Sequence, residues 1–232
     1  MKKLFFMGFA LLLCAMWPAD AAAQLKIGGR KLNTGKLLEA GKDVAKAVTL
    51  SDKDIAQLSC EAVEWMDANN PIADETTEYG ARLKRLTEGI TEINGLPLNF
   101  KVYHVVDVNA FACGDGSIRV FSALMDLMDD DELMAIIGHE IGHVVHADVK
   151  HAMKNAYLSS ATRNAAGAAE GSTLAKLSDS QLGEVVTAFT GAQFSQKQEY
   201  EADEYGFEFS VKNGFSPYGM GNSLNKLVEL SK

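Results

Sequence analysis

The sequence predicts an α+β fold that is predominantly helical and contains one small antiparallel sheet. Apolar residues recur at helical spacing over most of the chain after Ser51, which indicates amphipathic helices. Residues 98–106 instead alternate in polarity and are rich in Val and Tyr, which is typical of a strand. The chain has 232 residues, of which 47% are hydrophobic and 23% charged, so its composition excludes a disordered, a collagen-like or a multi-spanning membrane protein.

The first 23 residues have the order of a secretory signal peptide. Two lysines precede an apolar run from residue 4 to residue 17, and small residues then offer an A-x-A cleavage site. We place the cut after Ala23, so residues 1–23 are predicted to be a signal peptide and the protein to be exported. The apolar run is too short for a membrane span, which needs about 20 residues, so a cleaved peptide is favoured over an anchor.

The remainder is divided into a leader segment, residues 24–50, and one domain, residues 51–232. The leader contains four glycines and shows no clear period. The domain is long enough to bury a sizeable core. It begins with Ser51, a capping residue, and a helix that we expect to run to about Ala68 and to end before Pro71.

A second helix and then a small sheet are predicted to follow. Apolar residues recur at helical spacing over residues 74–89. Strands are predicted over residues 98–106, 109–112 and 118–121. Because Asp115-Gly116 is a strong turn pair, the last two strands are expected to form a hairpin.

The second half of the domain is predicted to be helical almost throughout. Acidic residues 129–131 favour a helix start, and this helix is expected to run to about Met153. Small residues at 159–171 indicate a loosely packed connection. A long helix over residues 180–211 and a last helix over residues 218–230 complete the predicted order.

The segment His139-Glu140-Ile141-Gly142-His143 carries the strongest chemical signal. The two histidines are four residues apart, so on a helix both imidazoles project from one face and can bind one metal ion. Glu140 lies about 100° round the helix, where it can take a proton from an attacking water and deliver it to a leaving amine. The alternative is a buried helix with polar residues at these positions by chance.

A catalytic zinc site needs a third protein ligand, and the best candidate lies in the predicted long helix. Stepping along that helix from Val185 and Phe189 leads to Glu199 and then to Asp203, whereas Glu201 points away. A buried carboxylate is costly unless it is paired or binds a metal. We therefore expect Glu199 to be the ligand and Asp203 to orient an imidazole. The alternative is a solvated acidic face.

Together these residues resemble the HtpX-like zinc metallopeptidases, a family that includes the CAAX prenyl proteases. The resemblance rests on His139-Glu140-x-x-His143 followed by Glu199-Tyr200-x-Ala202-Asp203, and it extends over roughly residues 50–230. It is strongest to the soluble periplasmic branch typified by LoiP and BepA. It implies a zincin-like (gluzincin) metallopeptidase fold with the small sheet beside the active-site helix, and one Zn²⁺ per chain.

The resemblance also implies roles for individual residues. Zn²⁺ is expected on His139, His143 and Glu199, and Glu140 is expected to be the general base and acid. The family commonly continues with a His-Pro segment and a following Arg that help to stabilise the tetrahedral intermediate, and this sequence does not contain them. Either the chain is a shortened form or another group, such as Tyr218, supplies that donor.

The expected function is that of an exported zinc-dependent metalloendopeptidase that hydrolyses peptide bonds of misfolded or damaged envelope proteins. The strand at residues 118–121 is expected to be the sheet edge that receives the substrate backbone. One alternative is a metal-binding periplasmic chaperone or assembly factor with a plugged or weakly active site. Another is a purely structural helical protein.

Charge and cysteine content bear on the partners and the compartment. The formal net charge of -9 argues against nucleic acid, so polypeptide substrates are the expected partners, in the periplasm. Association with the envelope membrane or with outer-membrane assembly proteins is a further expectation. After export, Cys60 and Cys113 either pair as a disulfide or stay as two buried thiols, and the sequence leaves both open.

Overall fold

A computed structural model of the protein describes residues 26–27, 30–31, 51–163 and 177–231, and for residues 26–27, 30–31 and 158–163 it describes the backbone alone. The predicted signal peptide and its cleavage site lie outside these ranges. In the leader, β1 (Lys26–Ile27) pairs antiparallel with β2 (Arg30–Lys31). Within the described ranges, no helix is both long enough and apolar enough to cross a membrane.

The domain begins as predicted with α1 (Asp52–Asn69). The side chain of Ser51 accepts a hydrogen bond from the backbone N–H of Asp54, whose carboxylate accepts from the backbone N–H of Ser51, and this closes a capping box. After β3 (Ile72–Ala73), helix α2 (Glu78–Leu86) is shorter than the predicted 74–89. Thr77 caps α2, because Asp74 instead accepts hydrogen bonds from Thr76 in a preceding turn.

The sheet has four strands in the order β3, β6, β8, β7, and a separate hairpin joins β4 to β5. The strands not yet named are β4 (Glu92–Ile93), β5 (Leu96–Pro97), β6 (Asn99–Tyr103), β7 (Ala110–Ala112) and β8 (Ser117–Phe121). The predicted hairpin is confirmed, since β7 and β8 are antiparallel. Gly116 supplies its turn with a backbone φ of 86°.

Two predictions about this sheet are wrong. The sheet is mixed rather than antiparallel, because β6 runs parallel to β8. The strand predicted as the edge, residues 118–121, lies inside the sheet as part of β8, between β6 and β7. The side chains of Ile118, Arg119 and Val120 are at most 1% exposed, which fits an inner strand covered on both faces. The edge on this side is therefore β7.

Six helices form the second half of the described domain, and four of them lie in two stretches that the sequence predicted as single helices. They are α3 (Ser122–Leu127), α4 (Asp130–Val145), α5 (Asp148–Arg163), α6 (Asp179–Thr190), α7 (Gln196–Lys212) and α8 (Gly219–Leu230). The predicted helix to Met153 is broken at Ala147, which has a φ of 62°. The predicted long helix is broken between Gly191, which ends α6, and Ser195, which caps α7.

Helix α4 is the centre of the domain. Leu133, Ile137 and Ile141 are fully buried, and the helix packs between β7, α7 and α8. Its contact with α7 is close because small residues meet there: a Cβ on Gly138 would lie 3.0 Å from the Cα atom of Gly206. This close approach brings the two chemically interesting segments of the sequence together.

We expect Gly206→Ala to destabilise the protein and to weaken the metal site. A methyl group there would lie 2.7 Å from the backbone nitrogen of His139 and 2.8 Å from the carbonyl oxygen of Ala135, so α4 and α7 must separate. Overpacking of this kind costs about 1–3 kcal/mol. Urea unfolding of the metal-free protein measures the loss, and zinc affinity should fall with it.

Gly221→Ala is the matched control, because its Cβ meets nothing within 4 Å. It replaces a glycine by an alanine in a helix, which should stabilise the protein by up to about 1 kcal/mol. Equal unfolding curves for the two variants would show that the contact between α4 and α7 tolerates a methyl group.

Cys60 and Cys113 are free thiols in the structure, where the disulfide considered from the sequence is not formed. Cys60 is exposed on α1 and its Sγ lies 3.8 Å from a carboxylate oxygen of Asp115. Cys113 is fully buried at the end of β7. Partial burial and the neighbouring Asp115 carboxylate raise the pKa of the Cys60 thiol, and complete burial raises the pKa of the Cys113 thiol well above its usual range.

Thiol labelling should therefore find one accessible cysteine in the native domain and two after denaturation. The measurement uses a chain that begins at residue 24, so that Cys14 is absent, and it omits reductant throughout. The Cys60→Ser variant is the control and should show no labelling until it is unfolded. Denatured, unreduced protein without free thiols would instead show that the two cysteines pair.

Candidate metal centre

Three side chains from two helices meet at the contact between α4 and α7. The Nε2 atoms of His139 and His143 lie 3.1 Å apart, as expected for residues four apart on one helix face. An oxygen of Glu199, on α7, lies 3.6 Å from Nε2 of His139. One ligand atom from each residue falls within 4.8 Å of the others, and no second cluster of this kind is found in the described ranges.

Each imidazole is held by a carboxylate at its other nitrogen. Nδ1 of His139 lies 2.8 Å from Asp203 Oδ1, and Nδ1 of His143 lies 3.0 Å from Asp148 Oδ2. A carboxylate that accepts a hydrogen bond from Nδ1–H keeps the proton of a neutral imidazole on that nitrogen. The lone pair of Nε2 is then available for a metal. The structure thus places Asp203 where the sequence predicted an orienting group.

Asp148 and Phe194 are two site residues that the sequence reasoning missed. Asp148 is the first residue of α5, where the break at Ala147 turns it back towards His143. Phe194 lies between α6 and α7, and its ring stacks on His143 with 4.1 Å between centroids. The sequence signal for Asp148 is an acidic residue five positions after His143. That signal was not recognised because the sequence predicted one continuous helix through this position.

Glu140 lies beside the cluster, at the edge of the sheet. Burial raises the pKa of its carboxyl group to about 7, with His139 lowering the pKa and Glu199 raising it further. A backbone hydrogen bond from Ala112, in β7, acts against this rise. A carboxyl group with a pKa near 7 can accept and release a proton at neutral pH, as a general base and acid requires.

The free edge of β7 runs past this glutamate. The carbonyl group of Asn109 accepts a backbone hydrogen bond from Phe121, and the N–H of Cys113 donates one to Ser117, both in the neighbouring strand β8. In an antiparallel pair these bonds alternate along the strand, so the peptide groups of Ala110 and Ala112 point away from β8. The N–H of Ala112 already donates to the carboxylate of Glu140, so the N–H and C=O of Ala110 and the C=O of Ala112 are the groups that can pair with another extended chain next to Glu140.

Comparison with known proteins agrees with this arrangement. Residues 79–229 match the profile of peptidase family M48. The chain is 41% identical to the metalloprotease LoiP of Escherichia coli (strain K12) over 219 residues, which are 94% of this chain and 86% of that protein. It is 37% identical to the metalloprotease YcaL of the same strain over 200 residues, which are 86% of this chain and 78% of that protein.

The chain belongs to peptidase family M48. It is a metalloprotease, and the predicted resemblance to HtpX-like peptidases is confirmed. A stretch of 60 residues, 24% of this chain, is also 38% identical to the protease HtpX of Haemophilus ducreyi (strain 35000HP / ATCC 700724), of which it covers 21%. The M48 match begins within α2 and ends within α8, so it includes all three residues of the cluster.

The donor set of this M48 chain fits a zinc ion. Two imidazoles and one carboxylate are a known ligand set of catalytic zinc, which uses three protein ligands and one open position. The Glu199 side chain is 47% exposed, so the cluster is open to solvent on one side. Both imidazoles are already oriented by carboxylates, an arrangement typical of histidines that bind zinc.

The structure separates Glu199 from the competing Glu201. Glu201 pairs with Lys197 one turn away on α7, at 3.4 Å, and does not join the cluster. Glu199 was predicted on one helix that runs on from Phe189, but the helix is broken before Ser195. Glu199 faces α4 because it lies on the same side of α7 as the buried Ala202.

The structure does not place Tyr218 at the imidazoles. A Cβ on its neighbour Gly219 would lie 2.5 Å from the carbonyl oxygen of Asp131, in the first turn of α4. Eight residues of helix, about 12 Å along the axis, separate Asp131 from His139. Tyr218 is 75% exposed in this conformation, and the donor role considered for it from the sequence stays a prediction.

Proposed function

We propose that this M48 metalloprotease is an exported zinc endopeptidase that hydrolyses unfolded or damaged proteins of the bacterial envelope. The observation that carries the proposal is the meeting of His139, His143 and Glu199, with Glu140 beside them at a free sheet edge. Export is supported by the signal-peptide order of residues 1–23.

Each residue of the site has a separate task in peptide hydrolysis. His139, His143 and Glu199 would hold Zn²⁺, while Asp203 and Asp148 keep the imidazoles in place. A zinc ion bound there supplies polarisation of the scissile carbonyl and lowers the pKa of water. Glu140 takes a proton from the attacking water, holds it on its carboxylate, and delivers it to the leaving amine.

Strand β7 is the element that we propose to bind substrate. A substrate segment that pairs with the N–H and C=O of Ala110 and with the C=O of Ala112 becomes an additional strand at this edge. Its scissile peptide bond is then carried past Glu140, which hydrogen-bonds to the same strand. Recognition through the main chain requires an extended segment and sets few demands on side chains, so unfolded chains are the favoured substrates.

The class of envelope substrate is suggested by a more distant relative. The chain is 31% identical to the β-barrel assembly-enhancing protease of Escherichia coli (strain K12) over 146 residues, 59% of this chain and 29% of that protein. The name of that relative connects it with β-barrel assembly. We therefore propose the periplasm as the compartment and unfolded envelope proteins as substrates.

Degradation of casein, an unfolded substrate, tests the proposed activity. Casein should be cleaved into fragments, cleavage should stop when a zinc chelator is added, and it should return when zinc is restored. A tightly folded protein of similar size is the control substrate and should stay intact. Suppression of aggregation without cleavage would instead support the alternative of a metal-binding chaperone.

A further inference from the structure

The side chain of Gln198 connects two parts of the metal centre. Its Oε1 accepts hydrogen bonds from the backbone N–H and the hydroxyl group of Ser195, at 2.9 and 2.8 Å, and so caps α7. Its Nε2 donates to Asp148 Oδ1 at 2.6 Å. The other oxygen of Asp148 lies 3.0 Å from Nδ1 of His143. A continuous series of hydrogen bonds thus joins the start of α7 to an imidazole of α4.

Only an amide side chain satisfies both partners of Gln198. The backbone N–H of Ser195 can only donate, and the carboxylate of Asp148 can only accept, so the orientation of the amide is determined by its neighbours. A glutamate could still cap the helix, but it would place a second carboxylate against Asp148. An alanine would leave both partners without this contact.

Asp148 needs this second partner because it is almost completely buried. Its exposed fraction is 6%, and a buried carboxylate is costly unless its oxygens accept hydrogen bonds. His143 satisfies one oxygen and Gln198 the other. With both oxygens fixed, the plane of the carboxylate is fixed, and so is the direction of the hydrogen bond that orients His143.

We propose that Gln198 is a positioning residue of the metal centre, acting through Asp148 on His143. The inference rests on the proposed zinc function. Glu199, the next residue along the chain, is the third expected ligand, so the amide that caps the helix of Glu199 also supports an imidazole of the facing helix. One side chain thereby couples the positions of ligands that come from α4 and α7.

A zinc titration in competition with a coloured chelator tests this role in Gln198→Glu. The chain offers a matched control in Gln181, which closes the same Ser-x-x-Gln capping box at the start of α6 with Ser178. Gln198→Glu should weaken zinc binding about tenfold, the lower end of the range for groups behind the ligands. Gln181→Glu should change zinc affinity less than twofold.

Two further measurements separate positioning from a general loss of structure. The visible absorption of the Co²⁺-substituted protein reports ligand geometry, and it should change in Gln198→Glu but not in Gln181→Glu. In an Asp148→Ala background, Gln198→Glu should alter zinc affinity less than twofold, since its effect passes through Asp148. Gln198→Ala, compared with Gln181→Ala, repeats the test without a new charge.

The outcomes distinguish failure of this inference from failure of the proposed function. Wild-type protein that does not bind zinc overturns both. Wild-type protein that binds zinc, together with Gln198 variants that bind it as tightly as the Gln181 variants, overturns the positioning role alone. Equal effects of Gln198→Glu with and without Asp148 also overturn it.

Discussion

Replacing Glu140 by Gln should abolish peptide hydrolysis and leave zinc binding intact. The amide has nearly the same shape as the carboxyl group but cannot take up a proton. General acid–base groups are worth about 10²–10⁴-fold each, and Glu140 serves as base and then as acid, so we expect a loss of several orders of magnitude. Casein degradation and zinc content, measured on the same preparations, check both halves of the prediction.

The matched control for Glu140→Gln is Glu201→Gln. Glu201 carries the same chemical group on the facing helix, but it pairs with Lys197 and does not join the cluster. It should keep both zinc and activity. Glu140→Gln protein that cleaves casein at close to the wild-type rate would remove Glu140 from the mechanism.

The second large effect is expected from Glu199→Ala, which should remove zinc from the protein together with its activity. Two imidazoles alone are an incomplete ligand set for a catalytic zinc ion, which uses three protein ligands. Asp203→Ala should have an intermediate effect, weakening zinc binding about 10–100-fold, because Asp203 hydrogen-bonds to His139 and is not one of the three residues that would hold the metal. Zinc affinities measured on the purified proteins test the expected order, in which the wild type binds most tightly, Asp203→Ala less tightly and Glu199→Ala least.

Glu201→Ala serves as the control for Glu199→Ala. It breaks a surface ion pair with Lys197, and such changes usually shift stability by no more than about 0.5 kcal/mol. It should therefore retain zinc. If Glu201→Ala lost the metal while Glu199→Ala kept it, the assignment of the third ligand would be wrong.

The parts of the fold that could be predicted from the sequence are those whose conformation depends on residues close together in the chain. Ser51 and the following acidic residues specify the start of α1, and Asp115-Gly116 specifies the turn between β7 and β8. The geometry of His139 and His143 follows from a spacing of four on one helix. In each case the signal and the structure lie within one turn or one hairpin.

The parts that could not be predicted depend on contacts between distant residues. The parallel pairing of β6 with β8 joins segments about 18 residues apart, and neither segment contains a sequence feature that identifies the other as its partner. Ala147 adopts a positive φ without the glycine or proline that usually signals a break. The role of Asp148 depends on that break, so it was visible only in the structure.

The third ligand, Glu199, was predicted correctly as a member of the cluster, but from a helix that the structure does not contain as one piece. Glu199 was predicted from a helical stripe that the structure interrupts at Gly191, although Ser195 and Gln198 form a recognisable capping box. The structure nevertheless brings Glu199 to the two imidazoles. The close packing of Gly142 against Ala202 explains this, because small residues let α7 approach α4 at the level of the histidines.

Titration of zinc into metal-depleted protein, with casein hydrolysis followed at each step, tests whether this protein is a zinc-dependent endopeptidase. We expect the depleted protein to be inactive, its activity to rise in proportion to added zinc, and the rise to saturate at one zinc ion per chain. Hydrolysis that survives complete removal of the metal, or that does not return when zinc is added, would contradict this function.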